Sequence, residues 1–139
     1  MITVTYDLEF NYRPLTFDDN SPNAPVLPVT LIGPSGEHDV LGLVDSGARG
    51  CLFKGELARQ IGISNIMDGR MEKVYGLGGG EITAYFHDIQ MQVDAASFSL
   101  EAGFTMDQIS YNILGGTFLD KIQLGLREHH GRFYISFSP

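Results

Sequence analysis

The run Val40-Leu41-Gly42-Leu43-Val44-Asp45-Ser46-Gly47-Ala48 places one carboxylate, Asp45, at the end of an apolar stretch and follows it at once with a hydroxyl residue, a glycine and an alanine. Burying an unpaired carboxylate is costly, so something must share or stabilise that charge. The local chemistry suits a reactive Asp held in a tight turn, with Ser46 supplying a hydroxyl and Gly47 letting another backbone come close. An Asx turn capped by Ser46 is the purely structural alternative for the same residues.

Two further stretches bear on the same chemistry. Val74-Tyr75-Gly76-Leu77-Gly78-Gly79-Gly80 is rich in glycine, yet the segment after it, Glu81-Ile82-Thr83-Ala84-Tyr85-Phe86, reads as a strand. Loops that cradle phosphate open a helix instead, so a hairpin tip is the better reading. Such a tip is mobile, can lie against an extended ligand, and offers Leu77 as the apolar contact at its apex, in the manner of a lid. The other stretch is Tyr111-Asn112-Ile113-Leu114-Gly115, an extended run in which Tyr111 and Ile113 share a face.

Together these three segments, in this order, resemble the single-domain, retropepsin-like branch of the aspartic proteases. Asp45-Ser46-Gly47-Ala48 is similar to its D-[ST]-G-A signature, Val74 to Gly79 to its flap, and Asn112-Ile113-Leu114-Gly115 with Phe118-Leu119 to its third motif. The resemblance covers roughly residues 26 to 137. It implies an all-β, retropepsin-like acid-protease barrel with one or two short helices, forming a homodimer, and an aspartic endopeptidase activity. Hydrolysis by carboxylates needs two of them sharing a proton. The chain carries one Asp-Ser-Gly triplet, so Asp45 of a second copy must supply the partner, with the Ser46 hydroxyls bonding across a two-fold axis. By the same resemblance Tyr75, Gly76, Leu77 and Gly78 would contact substrate, and Leu43, Tyr111 and Ile113 would wall an apolar side-chain pocket, although all three could equally be core.

The resemblance is broken at two places. Arg49 stands where an acidic residue commonly follows the signature, and Gly116-Thr117 where an arginine often follows the third motif. The two changes remove residues that the resemblance would assign to a peptide-backbone clamp and a dimer salt bridge, and Arg49 would instead favour an acidic or polar substrate residue. A catalytically silent dimerisation or peptide-binding module is therefore the alternative function.

Length and composition agree with a single domain over residues 1–139, long enough for a real core. With 43% hydrophobic residues, 17 glycines and 6 prolines the chain leans towards β structure. Nine basic against 17 acidic residues give a net charge of -8, which opposes binding to nucleic acid or to an anionic membrane. The partners expected are a second copy and a peptide or protein substrate. Cys51, the single cysteine, lies in the apolar patch Cys51-Leu52-Phe53 and reads as a small buried hydrophobe. The start lacks the regions of a signal peptide, so a cytoplasmic setting is the default expectation. No cofactor is called for. His38, His87, His129 and His130 lack metal-ligand spacing beyond an adjacent pair that extended backbone would point apart, so no metal is expected.

The elements that must position these residues can be read in outline. Ile2, Val4, Tyr6, Leu8 and Phe10 alternate as one strand. The acidic, Asn- and Pro-rich residues 17 to 25 form an exposed loop that lacks the glycine and terminal glutamate of a calcium-binding loop. Val26–Ile32 and His38–Val44 form a hairpin about Gly33-Pro34-Ser35-Gly36-Glu37. Gly55 to Ile61 is a two-turn helix stopped by Gly62. The long strand from Glu81 to Val93 changes apolar parity at His87-Asp88, which predicts a β-bulge or bend. Phe98 to Phe104 returns as its partner, Gly115 to Lys121 is a short helix, and two strands centred on Leu124 and Ile135 close the chain. That makes about nine strands and two helices, with edges at both chain ends open to pairing with another chain.

Overall fold

The computed structural model describes residues 1–76 and 80–137. Its strands are β1 (Leu8–Asn11), β2 (Arg13–Pro14), β3 (Asn23–Ala24), β4 (Val26–Gly33), β5 (Gly36–Val44), β6 (Cys51–Lys54), β7 (Arg70–Tyr75), β8 (Glu81–Val93), β9 (Ala96–Thr105), β10 (Asn112–Leu114), β11 (Gln123–Arg127) and β12 (Arg132–Ser136). Two short helices, α1 (Glu56–Gln60) and α2 (Gly116–Leu119), complete the frame together with single turns of 3₁₀ helix at Ile66–Asp68 and Glu128–His130.

Six strands close on themselves in the order β4, β5, β10, β6, β9, β8, with β8 returning to pair with β4, and β7 extends the sheet beyond β8. The closure is what makes the domain a barrel and removes most free edges. Inside it pack Leu27, Leu31, Phe53, Met91, Phe104 and Leu114, all fully buried. The β4–β5 hairpin turns through Pro34-Ser35, with Gly33 opposite Gly36. The turn rests against the end of α1, where Ser35 N–H donates to the Ile61 carbonyl and Gly62, at φ 88°, reverses the chain. Only glycine takes that backbone conformation without strain.

Three expectations are corrected. Residues 2–6 are not a strand: pairing with β12 begins at Leu8, opposite Ile135, and Ile2 and Val4 are 92% and 44% exposed. Ile2 and Val4 thus lie largely in solvent, and of this run Tyr6 is the residue that meets an aromatic neighbour, Tyr134 at 5.7 Å between ring centroids, so the alternation does not by itself make a strand. The register of β8 against β9 runs unbroken from Ala84 opposite Thr105 to Val93 opposite Ala96, without the bulge expected at His87-Asp88. The parity changes because the strand changes surroundings. Its first half lies against β7 outside the barrel and its second half against β4. Between them Phe86 sits 4.9 Å beneath the Arg70 guanidinium, and a His87 ring nitrogen lies 2.7 Å from the Ile66 carbonyl.

The third correction concerns the last strand, which was expected to present an edge. β12 is the middle strand of a three-stranded sheet, between β1 and β11. Phe133 and Ile135 are fully buried in the chain's own core. Removing residues from Arg132 onward would therefore dismantle the core rather than selectively weaken association. Among the described residues the outer strands of this sheet are β1 and β11.

β6 was not distinguished as a strand in the sequence. Cys51, Leu52 and Phe53 are all buried, because β10 covers one edge and β9 the other while both faces are packed. A strand in that position shows no alternation.

Candidate active site

β5 and β10 run parallel, with Leu43 beside Ile113 and Val44 beside Leu114. Both strands end at the same mouth of the barrel, and the next residue after β5 is Asp45. Its backbone continues the pairing for one more step, Asp45 N–H donating to the Leu114 carbonyl at 3.0 Å. The chain then turns: Gly47 N–H donates to Asp45 Oδ1 at 2.9 Å and Ala48 N–H to the Asp45 carbonyl at 3.3 Å. This is the Asx turn of the structural alternative, without a Ser46 cap among the described residues, and it fixes the carboxylate's orientation.

One carboxylate oxygen is held in this way. Among the described residues no other hydrogen bond or ion pair reaches the Asp45 carboxylate, and none reaches the Ser46 hydroxyl. Asp45 is half-buried, whereas Ser46 and Gly47 are exposed. The site therefore presents a fixed, accessible acid at the barrel mouth with hydrogen-bonding capacity left over.

Behind the turn lies the segment after β10. Gly116 N–H donates to the Ala48 carbonyl at 2.8 Å and Thr117 N–H to the Arg49 carbonyl at 3.0 Å. These two amides brace the 48–50 loop at the place where the sequence departs from the arginine-bearing pattern. Their approach depends on Gly115, where a Cβ would stand 2.2 Å from the Gly50 carbonyl oxygen and 2.7 Å from that of Ala48. Gly115→Ala is expected to cost about 1–3 kcal/mol, the usual range for forcing extra volume into a packed site, and to lower any activity by displacing the loop. Urea denaturation of the variant checks the first effect. A stability within error of the parent would mean the loop yields freely and does not need this bracing.

Cys51 begins β6 directly after this loop and is 1% exposed. Burial pushes its thiol above the ordinary value, against the lowering effects of Thr117, whose hydroxyl lies 3.6 Å from the sulfur, and of nearby backbone groups. The residue is the buried hydrophobe expected of it.

Leu43 and Ile113 are half-buried neighbours on the side of the sheet where Asp45 follows in the same parity, and Tyr111, also half-buried, precedes Ile113 by two residues. The opposite parity, Val44, Asn112 and Leu114, is buried. Asn112 was quoted in the sequence only as part of a motif, and its contribution is architectural. Its Nδ2 donates to the Leu41 carbonyl at 3.0 Å and its Oδ1 accepts from Lys54 N–H at 2.9 Å. It ties β5, β10 and β6 together beneath the site. A polar residue on an otherwise apolar parity was the signal for it.

The remaining predicted residues lie elsewhere. Arg49 is exposed, and among the described residues its side chain has no ion pair. Tyr75 is 71% exposed at the end of β7, opposite Glu81, and Gly76 N–H donates to the Gly80 carbonyl at 3.0 Å. Leu77 and Gly78 lie outside the described residues. β7 and the first half of β8 thus form a projecting hairpin, braced by Lys73 with Glu81 at 3.2 Å and by Arg70 with Glu72 and Glu101. At its base the Phe86 ring stands near the 48–50 loop, where a Cβ added at Gly50 would lie 3.6 Å from the ring edge.

No protein-family model and no curated protein sequence matches the chain. Solved structures do match it. A retropepsin-like aspartic protease from Rickettsia conorii superposes with a TM-score of 0.62 over 94% of this chain and 99% of that one, at 14% identity. EIAV protease, in its complex with the inhibitor HBY-793, gives 0.54 over 74% of this chain and 91% of the other, at 16% identity. The chain has the fold of the retropepsin-like aspartic proteases. Its Asp-Ser-Gly-Ala turn stands at the end of a barrel strand, braced from behind by the glycines that follow β10.

Proposed function

We propose that the chain is an aspartic endopeptidase that acts as a homodimer. The observation that carries this reading is the Asp45 carboxylate itself. It is fixed by Gly47, half-buried and, among the described residues, otherwise unpartnered, at the mouth of a barrel that matches solved structures of aspartic proteases.

In the dimer Asp45 and Asp45 of the second copy share one proton. The ionised carboxylate removes a proton from water as the water oxygen attacks the scissile carbonyl carbon, while the neutral one donates its proton to the carbonyl oxygen. The resulting tetrahedral diol collapses as the C–N bond breaks. One hydroxyl proton returns to the pair, and the pair protonates the departing amine. The Ser46 hydroxyls, without a hydrogen bond among the described residues of one chain, bond across the two-fold axis and hold the two turns in register.

An extended peptide would lie between the barrel mouth and the hairpin, contacted by Tyr75, Gly76, Leu77 and Gly78 as a flap. Main-chain hydrogen bonds to such a ligand supply affinity. Leu43, Tyr111 and Ile113 form the wall of an apolar side-chain pocket, and the unpaired Arg49 favours an acidic or polar residue at a neighbouring position.

Incubation with a peptide library at several pH values tests the reading. Cleavage within peptides is expected, with a maximum at acid pH and a fall as the second proton leaves the carboxylate pair, both limbs belonging to the pair rather than to one residue. A rate rising steadily to about pH 9 would exclude the shared-proton mechanism. Binding without cleavage at any pH would favour the silent peptide-binding module, the alternative that Arg49 and Gly116-Thr117 raise.

A further inference from the structure

The antiparallel register of β8 and β9 stops at Ala84 opposite Thr105. One step further it would place Met106 opposite Thr83, and there the ladder is completed by side chains instead of backbone. Thr105 Oγ1 donates to the Thr83 carbonyl at 2.8 Å, and Asp107 Oδ2 accepts from Thr83 N–H at 2.8 Å. The arrangement is locked by a third bond, Asp107 N–H to Thr105 Oγ1 at 3.0 Å. Thr105 is 1% exposed, and its own carbonyl accepts from Gly55 N–H at 2.7 Å, so this half of the device is anchored in the barrel. Asp107 is exposed and sits on the segment that leads through Gln108, Ile109 and Ser110 to Tyr111 and Ile113.

Thr83 is where the projecting hairpin leaves the barrel. On its other side the hairpin holds it through Lys73, whose Nζ donates to Thr83 Oγ1 at 2.8 Å. A backbone ladder at this point would continue the sheet rigidly into the hairpin. A carboxylate in place of a carbonyl gives a joint that can open without breaking the pairing on either side. It also links the hairpin to the segment bearing two of the pocket-wall residues.

We propose that Asp107 is a positioning residue that couples the β7–β8 hairpin to the Tyr111–Ile113 pocket wall through the Thr83 amide, so that the hairpin's posture and the shape of the pocket change together. The coupling to substrate rests on the endopeptidase reading, whereas the joint itself does not.

The test compares the parent with Asp107→Ala and Asp107→Asn by amide hydrogen exchange and backbone NMR, with peptide kinetics alongside. Asp107→Ala is expected to speed exchange at Thr83 by about tenfold or more, the loss of one charged hydrogen bond, and to shift the amide resonances of Tyr111 and Ile113. Asp107→Asn keeps an acceptor oxygen and should restore both. For a cleaved peptide, Asp107→Ala should raise KM about fivefold with a much smaller change in kcat, because binding geometry and not the acid pair is disturbed. Unchanged exchange at Thr83 would overturn the proposal, and so would faster exchange with the Tyr111 and Ile113 resonances unmoved. If no peptide is cleaved by any variant, the endopeptidase reading fails while the exchange and resonance data still decide the joint.

Discussion

Asp45→Asn is expected to abolish peptide cleavage, by at least about a thousandfold, the scale of a lost general acid–base, while leaving the fold intact. The fold should survive because the one bond the carboxylate makes among the described residues is acceptance from Gly47 N–H, and an amide oxygen accepts it equally. Activity should vanish because an amide cannot take a proton from water at any useful pH, and both halves of the pair change at once. Stability of the dimer should hold or rise, since two close carboxylates resist joint ionisation and two amides do not. Circular dichroism and peptide hydrolysis on the same preparation check both halves of the prediction. Retention of most of the parent's activity, with contaminating protease excluded, would show that the carboxylate at the end of β5 is not the chemical centre.

The second large effect concerns association. With one Asp-Ser-Gly triplet per chain, the proposed shared-proton mechanism makes pairing a condition of activity. Specific activity per chain should fall on dilution below the dimer Kd. Adding Asp45→Asn chains in threefold excess should leave about one quarter of the parent chains in fully active dimers if pairing is random, since each mixed pair keeps a single carboxylate. Sedimentation measured over the same dilution series separates loss of dimer from loss of chain. The net charge of -8 opposes pairing at neutral pH, and added salt should ease it by screening. A monomer fully active at every concentration would defeat both the dimer and the shared-proton mechanism.

What the sequence made legible follows physical lines. The turn at Asp45 was legible because an Asp followed by Ser-Gly at the end of an apolar strand favours a side-chain-to-backbone turn, which Gly47 N–H closes onto Asp45 Oδ1. The β4–β5 hairpin, α1 with its Gly62 stop and α2 behind its glycines were legible from turn chemistry and propensity, which act locally. Where surroundings decide, the reading failed. Cys51-Leu52-Phe53 hides a strand because all three residues are covered. Ile2 and Val4 mimic one because alternation needs a surface to face. The parity change in β8 marks a change of neighbour, and β12 lies in the middle of its sheet because β1 returns to flank it. None of these is a property of a single segment.

The site divides in the same way. Leu43 and Ile113 are adjacent through the parallel pairing of β5 with β10, which brings together residues about seventy apart in sequence. The bracing of the 48–50 loop by Gly116 and Thr117 and the clamp made by Asn112 are contacts of the same long range. The Thr83 joint is another, since its carboxylate lies 24 residues away in sequence. Periodicity carries no information about such contacts, whereas the buried parity of Asn112 does hint that a polar side chain there must find partners.

The most direct measurement is the separation of the two Asp45 carboxylates in a crystal structure of the dimer. In the proposed dimer the carboxylate oxygens lie within hydrogen-bonding distance of one another, below about 3.5 Å, across a two-fold axis flanked by the Ser46 hydroxyls. Two copies paired with their Asp45 turns facing apart, too distant to share a proton, would contradict it.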